Sequence, residues 1–237
     1  MNRRPPSAAG VLAVAGILLG AGVAGFVLSR LLAPPRSQLR VVPLQTPSLS
    51  PLTAGTPAPS HRAVPERLPE VSLPDLDGVS HSLRDFTGRP LIINFWATWC
   101  EPCRREIPLL KSMRRENSRN DLEIVGIALD HLESVRQFVR TLGIGYPVLV
   151  GEKGGLEAVT AFGMDTVLPF SVFADSEGRI VTVKVGELHR DEAGFILARL
   201  EDLRRGRISL PDARQRIGEE TRRLAALRAA SPAHEPH

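Results

Sequence analysis

Cys100 and Cys103 are the only cysteines in the chain, and Glu101 and Pro102 stand between them. Two thiols at this spacing can open and close a bridge by thiol–disulfide exchange: one thiolate attacks a substrate disulfide and the other resolves the mixed disulfide. The pair directly follows the apolar run Leu91-Ile92-Ile93-Asn94-Phe95-Trp96, the pattern of a strand buried on both faces, and precedes a helical stretch. That junction puts Cys100 at a helix N-terminus, where free N–H groups and the macrodipole favour a thiolate. Cys100 is therefore the candidate nucleophile and Cys103, one turn further in, the resolving thiol. A structural bridge fits less well, because closing so short a loop restrains the unfolded chain by only about 2 kcal/mol. A tetrahedral zinc site would need two further ligands, and neither a second Cys-x-x-Cys nor a His-x3-His occurs.

The elements that hold this pair can be read from periodicity. Val71 to Leu73 and Ser80 to Ser82 flank an Asp77-Gly78 turn, which predicts a hairpin lead-in. After the cysteine helix, Leu122 to Leu129 reads as a buried strand, Leu132 to Leu142 as a helix and Pro147 to Val150 as a strand, which makes a β-α-β unit and a parallel pair. A short inserted helix is expected at Leu156 to Phe162. Strands follow at Phe170 to Ala174 and Ile180 to Val185, then a helix from Glu192 to about Arg204. The last segment opens a further helix at Ser209, with only Ile217, Leu224 and Leu227 on its apolar stripe, so docking and fraying are both open.

The chain has 237 residues, 43% hydrophobic and 24% charged, which suits one globular domain with extra segments and excludes a disordered or collagen-like protein. The formal charge of +4 is spread along the chain without a basic block, so nucleic acid is not an expected partner. Ala8 to Leu28 carries no charge and as a helix spans about 31 Å, the thickness of a bilayer core. It reads as a single-span anchor after a short N-terminus, 1–7. A cleaved signal peptide is the alternative, although the run exceeds the usual apolar core of about 7–15 residues. Residues 29–63 are rich in Pro, Ser and Thr and form a tether without a core. The catalytic domain is expected over 64–205, with a helical extension and tail over 206–237.

The stretch Phe95-Trp96-Ala97-Thr98-Trp99-Cys100-Glu101-Pro102-Cys103-Arg104-Arg105-Glu106-Ile107-Pro108 resembles the active-site signature of membrane-anchored thioredoxin-like reductases of the TlpA/ResA type, relatives of the cytochrome c maturation thioredoxins. Leu73-Pro74-Asp75-Leu76-Asp77-Gly78 resembles the family's lead-in, and Leu168-Pro169 its cis-proline loop. The resemblance implies an α/β thioredoxin-like fold with a hairpin lead-in and a central inserted helix, preceded by a single transmembrane helix. It also implies a domain outside the bacterial cytoplasm, in the periplasm, with residues 1–7 inside.

Several site residues follow from the resemblance. Asn94 stands where thioredoxins have a buried Asp, and an amide cannot exchange a proton near neutral pH. Glu106, three residues beyond Cys103 on the same helix face, resembles the family's glutamate and is the expected proton carrier for Cys103. Glu101 and Pro102 should tune the pair, with the carboxylate raising the thiol pKa and favouring a reductant. Trp99 is expected on the substrate rim. The backbone at Leu168, turned out by Pro169, is expected to offer strand-like hydrogen bonds to a substrate, although Phe170 replaces the family's usual small polar residue.

No cofactor or metal is implied. The implied partners are disulfide-bearing proteins such as apocytochrome c or copper-site proteins, with a transmembrane thiol donor. Two rival functions use the same residues. A thiol peroxidase of the redoxin class would need a Thr three residues before its cysteine, where Ala97 stands. A Cu(I) chaperone would use the thiol pair as soft ligands, with His131 or His189 as possible additions.

Overall fold

The computed structural model describes residues 63–117 and 121–230. The domain opens with a hairpin in which β1 (Ser72–Pro74) pairs antiparallel with β2 (Ser80–Ser82). Asp75 closes the turn, its Oδ1 accepting from the N–H groups of Asp77 and Val79, both at 2.9 Å. Gly78 lies at φ 86°, a left-handed conformation that suits glycine. A turn of 3-10 helix, Leu83–Phe86, follows, with Ser82 and Asp85 forming a reciprocal capping box. The apolar pattern does not announce so short a helix.

The main sheet has the order β5-β4-β3-β6-β7. Its centre, β3 (Leu91–Trp96), runs parallel to β4 (Glu123–Ala128), which in turn is parallel to β5 (Val148–Val150). On the other side β6 (Phe170–Ala174) is antiparallel to β3, and β7 (Ile180–Val185) is antiparallel to β6. Parallel neighbours need crossovers. These are α1 (Glu101–Glu116) between β3 and β4, and α2 (Leu132–Leu142) between β4 and β5. The inserted helix is α3 (Gly155–Ala161), and α4 (Arg190–Arg204) follows β7. The thioredoxin-like α/β fold expected from the sequence is therefore present.

Every residue of β3 is buried, and its side chains alternate between two cores. Leu91, Ile93 and Phe95 join Leu73, Leu83, Leu149, Val159, Phe162 and Phe170 beneath the hairpin and α3. There Phe95 stacks on Phe170 at 4.2 Å between ring centroids and meets Phe162 edge-on at 5.5 Å. Ile92 and Trp96 face the other way, toward Cys103, Ile107 and Leu110 of α1, Val135 of α2 and Ile196 of α4.

The final helix, α5 (Leu210–Ala230), is continuous. Of the three residues on its expected stripe only Ile217 is buried, and Ala213 joins it against the second core. Polar contacts hold the rest. Arg214 donates to the Ile180 carbonyl at 2.6 Å, and Arg228 pairs with Asp191 at 3.0 Å and with the buried Glu192 at the start of α4. Among the described residues no helix is long and apolar enough to cross a membrane. The expected N-terminus 1–7 and anchor 8–28, all but the last residue of the tether 29–63, and the tail from Ser231 lie outside the described residues.

Candidate active site

The dithiol sits where β3 hands over to α1. Cys100 is the N-cap of α1 with extended backbone, and its Sγ accepts from the Cys103 N–H at 3.3 Å. Pro102 lies in the first turn, where a missing N–H costs no helical bond. Cys100 and Cys103 form a disulfide with Cα atoms 5.3 Å apart. Both are buried, whereas the neighbouring Trp99 is 71% exposed and offers its indole to solvent beside the bridge. The loop carrying Trp99 is tied down by Asp130, which accepts from the Thr98 N–H at 3.2 Å and from the Thr98 hydroxyl. A cavity of about 640 Å³ opens there, lined by Trp99, Asp130, His131, Glu152, Leu156 and Thr166.

The two carboxylates of the motif have opposite surroundings. Glu101 is exposed, with Arg105 at 3.8 Å, and Arg105 also binds Glu187 at 2.7 Å. Solvent and this cation both reduce the field that Glu101 exerts on Cys100. Glu106 is 1% exposed and packed into the core face that holds Cys103. Its Oε1 accepts from Asn94 Nδ2 at 2.6 Å and its Oε2 from the Leu188 N–H at 2.7 Å. Burial pushes its pKa from 4.5 up to about 7; the Leu188 and Asn94 bonds pull it down, Glu187 adds to the rise and Lys184 opposes it. A carboxyl that titrates near neutrality one turn from a cysteine can take or give a proton there.

In the sequence Asn94 reads as a loss, the Asp that is not there. In the fold it is a connector, because its amide spans from β3 to α1 and also donates to Ser171 Oγ of β6 at 3.1 Å. The Leu188 contact has no counterpart in local pattern, because its partner lies 82 residues away in sequence. The one signal for this network is a polar residue inside an otherwise apolar strand, which must find partners when buried.

Leu168-Pro169 is a cis peptide, and Leu168 packs against the cluster that contains both cysteines. The Pro169 carbonyl accepts from Gly186 N–H at 2.8 Å, which joins the proline loop to the loop that supplies Leu188. Phe170 does not reach the docking surface, since its ring stacks on Phe95 in the opposite core. Ala97 is buried three residues before Cys100 and brings no hydroxyl to a peroxidase pattern. His131 and His189 cap α2 and α4, and among the described residues no group of three His, Cys, Asp or Glu could hold a metal ion.

A mixed sheet with a Cys-x-x-Cys bridge at the end of its central strand and a cis-proline loop packed against it defines a thioredoxin-like redox protein. Residues 64–183 match the model of the AhpC/TSA family. The chain is 30% identical over 125 residues to the thiol-disulfide oxidoreductase ResA of Bacillus thuringiensis subsp. konkukian (strain 97-27), which covers 52% of this chain and 70% of that protein. It is 31% identical over 131 residues to the thioredoxin-like protein YneN of Bacillus subtilis (strain 168), over 54% and 74% of the two chains. Among solved structures it is similar to a Chlorobium tepidum protein assigned as a thiol:disulfide interchange protein DsbE, with 25% identity and a TM-score of 0.51 over 58% of this chain and 97% of that one. The chain belongs to the AhpC/TSA family and, within it, is a thioredoxin-like protein of the TlpA/ResA type. It is a protein thiol-disulfide oxidoreductase.

Proposed function

We propose that the protein reduces disulfides in partner proteins outside the bacterial cytoplasm, held at the inner membrane by residues 8–28 and reaching its substrates through the tether 29–63. The observation that carries the direction is Glu106. An ionisable carboxyl buried one turn from Cys103 disfavours the Cys103 thiolate, and a raised thiol pKa makes a dithiol the better reductant.

In the reduced protein the Cys100 thiolate, favoured by the N-terminus of α1, attacks one sulfur of the substrate disulfide. That S–S bond breaks and the departing substrate sulfur leaves as a thiolate. Cys103 gives its proton to the Glu106 carboxylate and attacks Cys100 Sγ. The second substrate sulfur is released and the Cys100–Cys103 bridge closes. Two electrons have passed to the substrate, whose thiolates take protons from solvent and, by way of Glu106, from Cys103. Trp99 supports the incoming chain from one side, and the Leu168 backbone, turned by Pro169, pairs with it from the other. Glu101, exposed and facing Arg105, and Pro102 make smaller adjustments to the potential. A transmembrane thiol donor restores the dithiol, and apocytochrome c or a copper-site protein is the proposed substrate class, both on family resemblance.

The test follows the resolving step with a disulfide-bearing peptide across pH 5 to 9. In the wild-type protein the rate of mixed-disulfide resolution should rise through a pKa of about 7. Glu106→Gln should flatten that rise and slow the step by about 100-fold or more at neutral pH. Identical profiles for the two proteins would remove Glu106 from the mechanism. Protease accessibility of the domain in spheroplasts, but not in intact cells, is the expected result for the proposed location.

A further inference from the structure

The turn between β7 and α4 makes three attachments through three consecutive residues. Gly186 N–H donates to the Pro169 carbonyl at 2.8 Å, Arg105 donates from Nε at 2.9 Å and from Nη2 at 2.7 Å to one oxygen of Glu187, and Leu188 N–H donates to Glu106 Oε2 at 2.7 Å. Arg105 and Glu106 are neighbours on α1, so the helix holds this turn from outside by a guanidinium and from inside by the buried carboxyl. Leu188 is buried, which fixes its side chain in the core. Its N–H belongs to the planar Glu187–Leu188 peptide unit, and the direction of that unit depends on where Glu187 is held. Gly186, at φ 83°, lets the chain turn sharply just before it and adds no side chain that could restrain it. Arg104, one residue earlier on α1, turns to α2 instead and lies 5.8 Å over the Phe138 ring.

We propose that Arg105 is a positioning residue of the exchange site: by clasping Glu187 it orients the 186–188 turn, and so keeps the Leu188 N–H on Glu106 and the Pro169 loop beside the dithiol. The consequence for the acid has a definite sign. An N–H donates only, and so favours the ionised carboxyl, the form that accepts the Cys103 proton. Loss of that donor raises the Glu106 pKa, and the negative Glu187, no longer neutralised by Arg105, acts in the same direction. A guanidinium is required and not charge alone, since a lysine ammonium is a point donor without the Nε–Nη2 fork. The other charged and titratable groups that face Glu106 are Lys184 of β7, Tyr146 ahead of β5 and, when reduced, Cys103 of the same helix. Arg105 is half exposed, and such ion pairs contribute little to stability, so the clasp shows in the site and not in the folding free energy.

The effect on catalysis rests on the proton role proposed for Glu106, whereas the positioning is read without any thiol-exchange assay. The experiment is nuclear magnetic resonance on the full chain in detergent, oxidised so that Cys103 does not titrate, with glutamate carboxyl carbons labelled and Glu106 assigned from Glu106→Gln. Arg105→Met should raise the Glu106 titration by about half a pH unit or more and speed hydrogen exchange at the Leu188 amide about tenfold or more. Arg105→Lys should recover only part of both. Arg104→Met, which removes the same charge one residue away, should change neither. Removing Glu187 as well separates position from charge: Arg105→Met combined with Glu187→Gln should keep the Leu188 exchange fast and the Glu106 titration raised. Return of both to wild-type values in that double variant would overturn the positioning, as would an unchanged Glu106 titration or Leu188 exchange in Arg105→Met, or full recovery by lysine. If the shifts are found but Glu106→Gln resolves mixed disulfides at the wild-type rate, the proton role fails and the positioning stands.

Discussion

The two faces of the central sheet are built from the same strands and do opposite work. On one, Leu91, Ile93 and Phe95 of β3 pack against the hairpin, the 3-10 turn and α3, with Phe95 and Phe170 stacked at their centre. On the other, Asn94 takes its turn between Ile92 and Trp96 and carries Glu106, Ser171 and the Leu188 N–H into the core beneath the cysteines. The first face is held by burial and ring contact, the second by a polar set that has to be satisfied in place. Placing a titratable acid inside a fold is costly to stability, whereas burial of the Phe95, Phe162 and Phe170 rings on the other face is stabilising.

The contrast can be broken most sharply at the chemistry itself. Cys100→Ser should abolish thiol–disulfide exchange while leaving both faces folded, as read by exchange kinetics and circular dichroism. On the apolar face Phe170→Ala should destabilise by about 3–5 kcal/mol, measured by denaturant unfolding of the oxidised protein, and should leave the pH dependence of stability unchanged.

On the polar face the pH dependence is itself the signature. Glu106 binds its proton more tightly folded, at about 7, than unfolded, at 4.5. Between those values the folded state holds more protons, so stability falls as pH rises from about 4.5 and levels off above 7. Relative to Glu106→Gln, the wild-type protein should lose on the order of 3 kcal/mol across that window. Parallel stability curves would contradict the assignment. Arg228→Met, which leaves the buried Glu192 with Lys184 at 3.5 Å as its remaining cation, should destabilise by about 1 kcal/mol and loosen α5 in hydrogen exchange. Trp99→Ala, at the exposed rim, should change stability by less than about 0.5 kcal/mol and raise KM for a disulfide-bearing partner several-fold.

What is legible in the sequence is the part governed by local pattern. The apolar run before the cysteines, the β-α-β periodicity and the Asp77-Gly78 turn each state their structure within a few residues, and β3, α2, β6 and β7 lie where that pattern puts them. The candidate site is legible in its membership. Its arrangement is not, because Asn94 and Leu188 reach Glu106 across separations of 12 and 82 residues, and Ser171 reaches Asn94 across 77. Phe170 is instructive in the same way. Read along the chain it intrudes on a docking loop, and only strand alternation in three dimensions sends its ring into the opposite core. The last helix also misleads on pattern alone, since a thin apolar stripe says nothing of Arg214 and Arg228, which fasten it to β7 and α4.

The most direct test of the proposed reductant role is the reduction potential of the Cys100–Cys103 pair in the full chain, set by equilibration with dithiol buffers of known poise and read by mass-tagging of free thiols. A value near or below about −250 mV is expected for a reductant that needs a continuous supply of electrons. A value near about −120 mV would make the protein an oxidant and contradict the proposed direction.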